Sequence, residues 1–238
     1  MLEQGPAELW PGYEFNIPVF SMVSRYLVLV GAYRHAIVTR RGREMGHRRH
    51  QDHFGKKAKA DGFAARSVYK LEEIQKRFSV IPRNGRVLDL GCSPGSWTNY
   101  VKQVGGPDTR AVGIDLDEVA GYRGHQFVGS VFDVSDEDIL EALGGPPDLV
   151  MSDMAPRTSG NRFTDHVRQM ELAEQAHVLA ARLLAPGGHF IAKVFEGEEA
   201  PDFVSRVRLG FGKTKRVKPK ATRKESVEFF VVAMGRKV

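Results

Sequence analysis

From about residue 65 onward, short apolar runs alternate with segments of helical period. Over 65–78, Val68, Leu71, Ile74 and Phe78 recur at steps of three and four, which predicts a helix. Residues 86–90 (RVLDL) predict a short apolar strand ending at a glycine, and 97–104 a helix. Strands are predicted over 111–115 and, more weakly, 126–128, followed by a helix over 136–143 and a strand over 148–152. A long helix over 169–184 is stopped by Pro186-Gly187-Gly188. A fifth strand over 189–195, a helix over 202–209 and two late strands over 213–218 and 227–234 complete the series. Residues 46–62 are basic and compatible with a helix, whereas 1–45 show no clear period. Strands alternating with helices predict an α/β fold with a mostly parallel sheet covered on both faces.

Composition bounds the picture. With 238 residues, 42% hydrophobic and 27% charged, the chain can bury one sizeable core and is too apolar for wholesale disorder. The single cysteine, Cys92, excludes an intramolecular disulfide framework and fits a reducing compartment. The apolar run at 26–33 has eight residues, far below the roughly 20 that span a bilayer. The first ten residues carry two glutamates and no Lys or Arg, unlike a signal peptide. A cytoplasmic protein without membrane contact is expected. Its catalytic or binding domain is expected over 46–238, with 1–45 a dispensable extension and Met45, before a basic stretch, the usual start.

The net charge of +6 is unevenly spread. Residues 40–59 hold eight Lys/Arg against two acids, and 206–224 hold nine against none, so the rest of the chain is acidic. Clustered cations release condensed counterions when they meet phosphates, so the two segments point to a polyanion such as RNA. Charge alone leaves solvated runs or an anionic membrane surface as alternatives. His47, His50 and His53 lie in a basic run, and no Cys/His spacing suggests a metal site.

The stretch 87–97 (VLDLGCSPGSW) runs strand, glycine turn, helix. In doubly wound sheets such a turn lies where ligands bind. Pro94 and the absent third glycine argue against a pyrophosphate cradle and hence against a nicotinamide dehydrogenase. Asp115 ends the second strand, where a carboxylate can accept both hydroxyls of a ribose. A nucleoside-containing ligand without pyrophosphate, such as S-adenosylmethionine, suits both features. Four polar residues stand out beside these. Asp153 follows an apolar strand, Lys193 is embedded in FIAKVF, Glu228 lies in SVEFFVVA, and Lys70 is on the first strong helix. Asp153, Lys193 and Glu228 are all expected near the carboxyl ends of strands.

The stretches ARSVYKLEEI (65–74), VLDLGCSPGSW (87–97), SDMAPRTSG (152–160), LAPGGHFIAKVFEGE (184–198) and VEFFVVAMGRK (227–237) closely resemble the FtsJ/RrmJ family of ribose 2′-O-methyltransferases. The resemblance covers nearly four-fifths of the chain. It implies a Rossmann-like, S-adenosylmethionine-dependent methyltransferase fold with a mostly parallel seven-stranded sheet. It places the family's catalytic Lys-Asp-Lys-Glu set on Lys70, Asp153, Lys193 and Glu228. It places cofactor binding on Gly91, Gly95, Trp97, Asp115 and Asp153. The family's adenine-contacting acid falls on Asp133 with a two-residue insertion, Val131 being the ungapped position.

By the same resemblance the substrate is a uridine of large-subunit ribosomal RNA, met within the ribosomal particle by a monomeric enzyme. Lys193 is the expected general base, with Asp153 positioning it, and Lys70 with Glu228 holding the acceptor ribose. A tRNA ribose methyltransferase and a non-catalytic RNA-binding assembly factor are the alternatives. The latter would not need both the tetrad and the cofactor turn.

Overall fold

The computed structural model describes residues 53–223 and 225–238. The expected extension 1–45, the Met45 start, the 26–33 run and most of the first basic segment lie outside them.

Seven strands form one sheet: β1 (Arg86–Leu90), β2 (Arg110–Asp115), β3 (His125–Val128), β4 (Leu149–Ser152), β5 (His189–Phe195), β6 (Phe211–Val217) and β7 (Glu228–Arg236). Their order is β3-β2-β1-β4-β5-β7-β6. The first five run parallel, and β7 enters antiparallel between β5 and β6. Strand order reverses between β1 and β4, which opens a crevice at their carboxyl ends.

Six helices are described: α1 (His53–Ala60), α2 (Val68–Phe78), α3 (Ser96–Gly105), α4 (Asp136–Leu143), α5 (Arg162–Leu183) and α6 (Ala200–Leu209). Leu71 and Ile74 of α2 and Trp97 and Val101 of α3 pack on Val87, Leu149, Met151, Ile191, Phe230 and Val232. Helices α4 to α6 cover the opposite face through Ile139, Ala176 and Phe203, against Leu88, Val150, Phe190 and Ala192. Adjacent strand residues thus serve opposite layers, as a pleat buried on both sides requires.

The elements follow the sequence pattern with three informative differences. Helix α5 starts at Arg162, seven residues before its apolar period begins. The Asn161 side chain caps it, accepting from the Phe163 and Thr164 N–H groups at 3.0 and 3.1 Å. Helix α2 starts at Val68 rather than 65, because Ala65 to Ser67 form a turn stitched to α3. Glu228 corrects an expectation: it opens β7 instead of closing a strand. Because β7 runs against β5, its beginning shares the sheet edge where β4 and β5 end, with Glu228 paired to Phe195.

Helix α1 packs through Ala58 and Phe54 onto Val68, Tyr69 and Ala221. This contact joins the described ends of the two basic segments, which are 147 or more residues apart in sequence. No helix among the described residues is long and apolar enough to cross a membrane.

Candidate active site

The crevice at the β1/β4 switch point gathers the polar residues singled out above. The turn after β1 is held by the Ile114 carbonyl, which accepts from Gly91 N–H at 2.8 Å, and by the Cys92 carbonyl, which accepts from Gly95 N–H at 2.6 Å. Gly91 and Gly95 have φ of +78° and +88°, a region that disfavours side chains. A Cβ at Gly91 would also stand 2.7 Å from Met154 Cγ. Asp115 anchors the far side of the turn: Ser93 N–H donates to Oδ2 at 2.8 Å and Asp117 N–H to Oδ1 at 3.0 Å. Each oxygen keeps a lone pair for a ligand hydroxyl.

Trp97 stands differently. Its indole is buried against Phe230, with ring centroids 5.8 Å apart, and donates to the Ser67 carbonyl at 3.0 Å. The indole ties α3 to the residues leading into α2, a link reinforced by Ala65 N–H donating to Ser96 Oγ at 2.8 Å. The glycine turn and Lys70 are thereby fixed relative to each other.

Asp133 is exposed in a turn closed by its N–H on the Ser130 carbonyl at 3.0 Å, whereas Val131 is buried in the main core. Of the two aligned positions, Asp133 is the one that presents an acid to solvent. Exposed Leu116, directly after Asp115, and exposed Phe132 supply apolar surface at this end of β2 and β3. An aromatic base fits such surface, and their spacing gave no hint of it.

Sequence reasoning also missed Asp89. It sits inside β1, 1% exposed, accepting from Thr98 Oγ1 at 2.7 Å while its Oδ1 has no hydrogen-bond partner. Burial first, then the charges of Asp153 and Asp115, push its carboxyl up to about 7. A carboxylate within RVLDL was the available signal. Asp115 and Asp153, close enough for their charges to act on Asp89, make this end of the crevice suited to a cationic ligand. S-adenosylmethionine, with sulfonium and ammonium charges, an adenine and a ribose, fits that donor set.

The four tetrad residues form two ion pairs. Lys193 donates to the Asp153 main-chain oxygen at 2.6 Å and lies 3.2 Å from its Oδ1. Lys70 is in contact with Glu228 Oε1. Both lysines are largely buried. Lys193 pairs across the ladder with Phe230, so Lys193, Phe230 and Glu228 share one sheet face. On that face Lys193 and Glu228 are diagonal neighbours, about 7–8 Å apart at the backbone. The Lys70 ammonium lies 5.5 Å from the centre of the Phe230 ring. Buried Gln169 adds support that the sequence did not advertise: its amide donates to the Lys193 carbonyl at 3.0 Å.

A glycine turn beside an acid-rich crevice, next to two lysine–carboxylate pairs, is the arrangement expected of a methyltransferase that acts on a weakly acidic hydroxyl. The description "FtsJ-like methyltransferase" matches residues 63–236 of the chain. The chain belongs to this family. FtsJ-like methyltransferases use S-adenosylmethionine as methyl donor. The chain is 44% identical over 192 residues to the ribosomal RNA large subunit methyltransferase E of Desulfosudis oleivorans, covering 80% of this chain and 93% of that protein. It is 42% identical over 191 residues to the protein of that name from Bdellovibrio bacteriovorus, covering 79% and 97%. A Plasmodium falciparum structure described as a ribosomal RNA methyltransferase superposes with a TM-score of 0.65 at 23% identity, over 73% of this chain and 98% of that one. That likeness carries the FtsJ-like fold.

Proposed function

We propose that the chain methylates a ribose 2′-hydroxyl, that of a uridine in large-subunit ribosomal RNA, and that Lys70, Asp153, Lys193 and Glu228 form its catalytic centre. The observation that carries this reading is the pairing of two largely buried lysines with two carboxylates, Lys193 with Asp153 and Lys70 with Glu228, at the sheet edge near the glycine turn. RNA is the substrate class because only RNA offers a 2′-hydroxyl. The names of the relatives narrow it to the large ribosomal subunit.

S-adenosylmethionine, when bound, supplies a methyl group activated by the adjacent sulfonium. Gly91, Gly95 and the Trp97 main chain bound its site, Asp115 takes the ribose hydroxyls, Asp133 faces the adenine, and Asp153 closes the site toward Lys193. Lys193 is the general base: it accepts the proton of the 2′-hydroxyl as the oxygen becomes methylated. Asp153 fixes that amine through its main-chain and carboxylate oxygens. Lys70 and Glu228 hold the acceptor ribose, so that alignment supplies much of the acceleration.

The domain responsible is 46–238, acting as a cytoplasmic monomer on the ribosomal particle. Incubating the protein with S-adenosylmethionine and unmodified large ribosomal subunits, followed by mass-spectrometric mapping, tests this. One uridine should gain a 2′-O-methyl group. Lys193→Ala should lower the rate about 10²- to 10⁴-fold while RNA binding persists. Methyl transfer to a base, or near-full activity of Lys193→Ala, would overturn the reading. A chain starting at Met45 should retain the activity.

A further inference from the structure

Beside the glycine turn, side chains from separate parts of the sequence form a hydrogen-bonded chain that the tetrad does not use. They are Asp89 of β1, Cys92 of the turn, Thr98 of α3 and Tyr122 of the segment between β2 and β3. Thr98 Oγ1 donates to Asp89 Oδ2 at 2.7 Å and lies 2.7 Å from the Tyr122 hydroxyl, which also hydrogen-bonds the Cys92 thiol. Gly113, the ladder partner of Asp89 on β2, makes room for them. A Cβ there would stand 2.3 Å from Tyr122 Oη and 2.7 Å from Cys92 Sγ. The Tyr122 ring also reaches the turn itself, its Cδ2 4.0 Å from where a Cβ on Gly95 would lie.

A threonine hydroxyl has one proton to donate. While Asp89 is a carboxylate, Thr98 gives that proton to Oδ2, so Tyr122 must donate to Thr98. Protonation of Asp89 on Oδ2 reverses the chain: Asp89 then donates to Thr98, and Thr98 to Tyr122. Hydrogen bonds aligned in one direction strengthen one another where the dielectric is low, so the phenol stabilises the charged carboxylate through Thr98. Burial first, then the charge of Asp89, raises the pKa of both Tyr122 and Cys92, which stay neutral near pH 7. Asp89 is therefore the member that titrates there, under the charges of Asp153 and Asp115. Its second oxygen, Oδ1, is buried and has no hydrogen-bond partner.

Resting on the placement of S-adenosylmethionine at the glycine turn, we infer that Tyr122 is a positioning residue for that donor: through the Thr98 hydroxyl it anchors the Asp89 carboxylate beside the donor's positive charges. An unpartnered, buried carboxylate oxygen is costly, and a cationic ligand offsets that cost only while Asp89 is ionised. Donor affinity is thereby tied to the direction of the hydroxyl chain.

Calorimetric titration of the full chain with S-adenosylmethionine between pH 6 and pH 9 tests this. Tyr122→Phe removes only the phenol oxygen. Its donor affinity should fall about threefold to tenfold at pH 7 and approach that of the unaltered protein at pH 9, where Asp89 is ionised in both. Thr98→Val should lose at least as much, and Thr98→Ser should keep native affinity. In the Thr98→Val background, Tyr122→Phe should have no further effect. A loss in Tyr122→Phe that is equal at every pH would overturn the relay, because a purely structural defect does not follow the charge of Asp89. Native affinity at every pH would overturn it as well. Should Tyr122→Phe not fold, as judged by circular dichroism, the contrast between Thr98→Val and Thr98→Ser decides. Asp115→Ala separates the relay from the site: if it loses the donor while Tyr122→Phe binds normally, the relay fails and the donor site stands. Native affinity in both variants removes the donor from the turn and the relay with it.

Discussion

Lys193 is anchored to Asp153 twice: its ammonium donates to the main-chain oxygen at 2.6 Å and lies 3.2 Å from the carboxylate Oδ1. The shorter contact does not depend on the side chain. Asp153→Asn therefore separates anchoring from charge. Stability should change by no more than about 1–2 kcal/mol, within the usual range for point variants, while methyl transfer falls about 10²-fold or more. Thermal melts alongside initial rates measure both. A collapse of stability would show that the carboxylate holds the lysine.

Lys70 and Glu228 are a mostly shielded pair, with side-chain exposures of 11% and 14%. Removing either partner leaves a buried charge uncompensated, a loss of about 3–5 kcal/mol. Lys70→Met with Glu228→Leu removes both charges and should be less destabilised than the sum of the single variants. A double-mutant cycle by denaturant unfolding reads the coupling. Strict additivity would mean that the contact contributes nothing to the fold.

Gly91 combines positive φ with a close approach to Met154, whose main-chain N and Cα would each lie 3.0 Å from an added Cβ. Gly91→Ala should cost about 1–3 kcal/mol in backbone strain and crowding. It should also weaken S-adenosylmethionine binding, since Met154 directly follows Asp153. Calorimetric titration with the donor checks this; a native affinity would show that the turn tolerates a side chain.

Asp89 gives stability a pH dependence with a definite sign. Burial and its acidic neighbours raise its folded pKa from 3.8 to about 7. Between those values the folded chain keeps a proton that the unfolded chain has lost, so this contribution falls as pH rises from about 4 to about 7 and is flat above. The full span is about 4 kcal/mol at 1.36 kcal/mol per unit of pKa. Asp89→Asn should remove this dependence. Its melting temperature relative to the unaltered protein should be higher at pH 8 than at pH 4. An equal difference at both pH values would show that the carboxyl is not destabilised by burial.

The two-residue and 3.6-residue periods were legible because they are local: RVLDL, LVMS and FIAKVF carry buried strands on their faces wherever they are placed. The glycine turn and Asp115 were legible because a strand, a tight turn and a helix place them without distant help. Asn161 hid the true start of α5, since capping replaces an apolar period with one side-chain acceptor. Asp89 was hidden because a single carboxylate in an apolar run does not reveal whether it faces solvent or a core.

The amino-acid order by itself determined the element series, the parallel α/β class and the residue types available for the chemistry. Only the tertiary structure decided which lysine meets which carboxylate. Lys70 and Glu228 are 158 positions apart, and they meet because β7 turns back between β5 and β6. The cluster that holds both Ala58 and Ala221 was decided the same way, and it gathers the described parts of the two basic segments on one side. Local periodicity reflects forces within a few residues, whereas pairing across a sheet depends on where distant strands find complementary edges and faces.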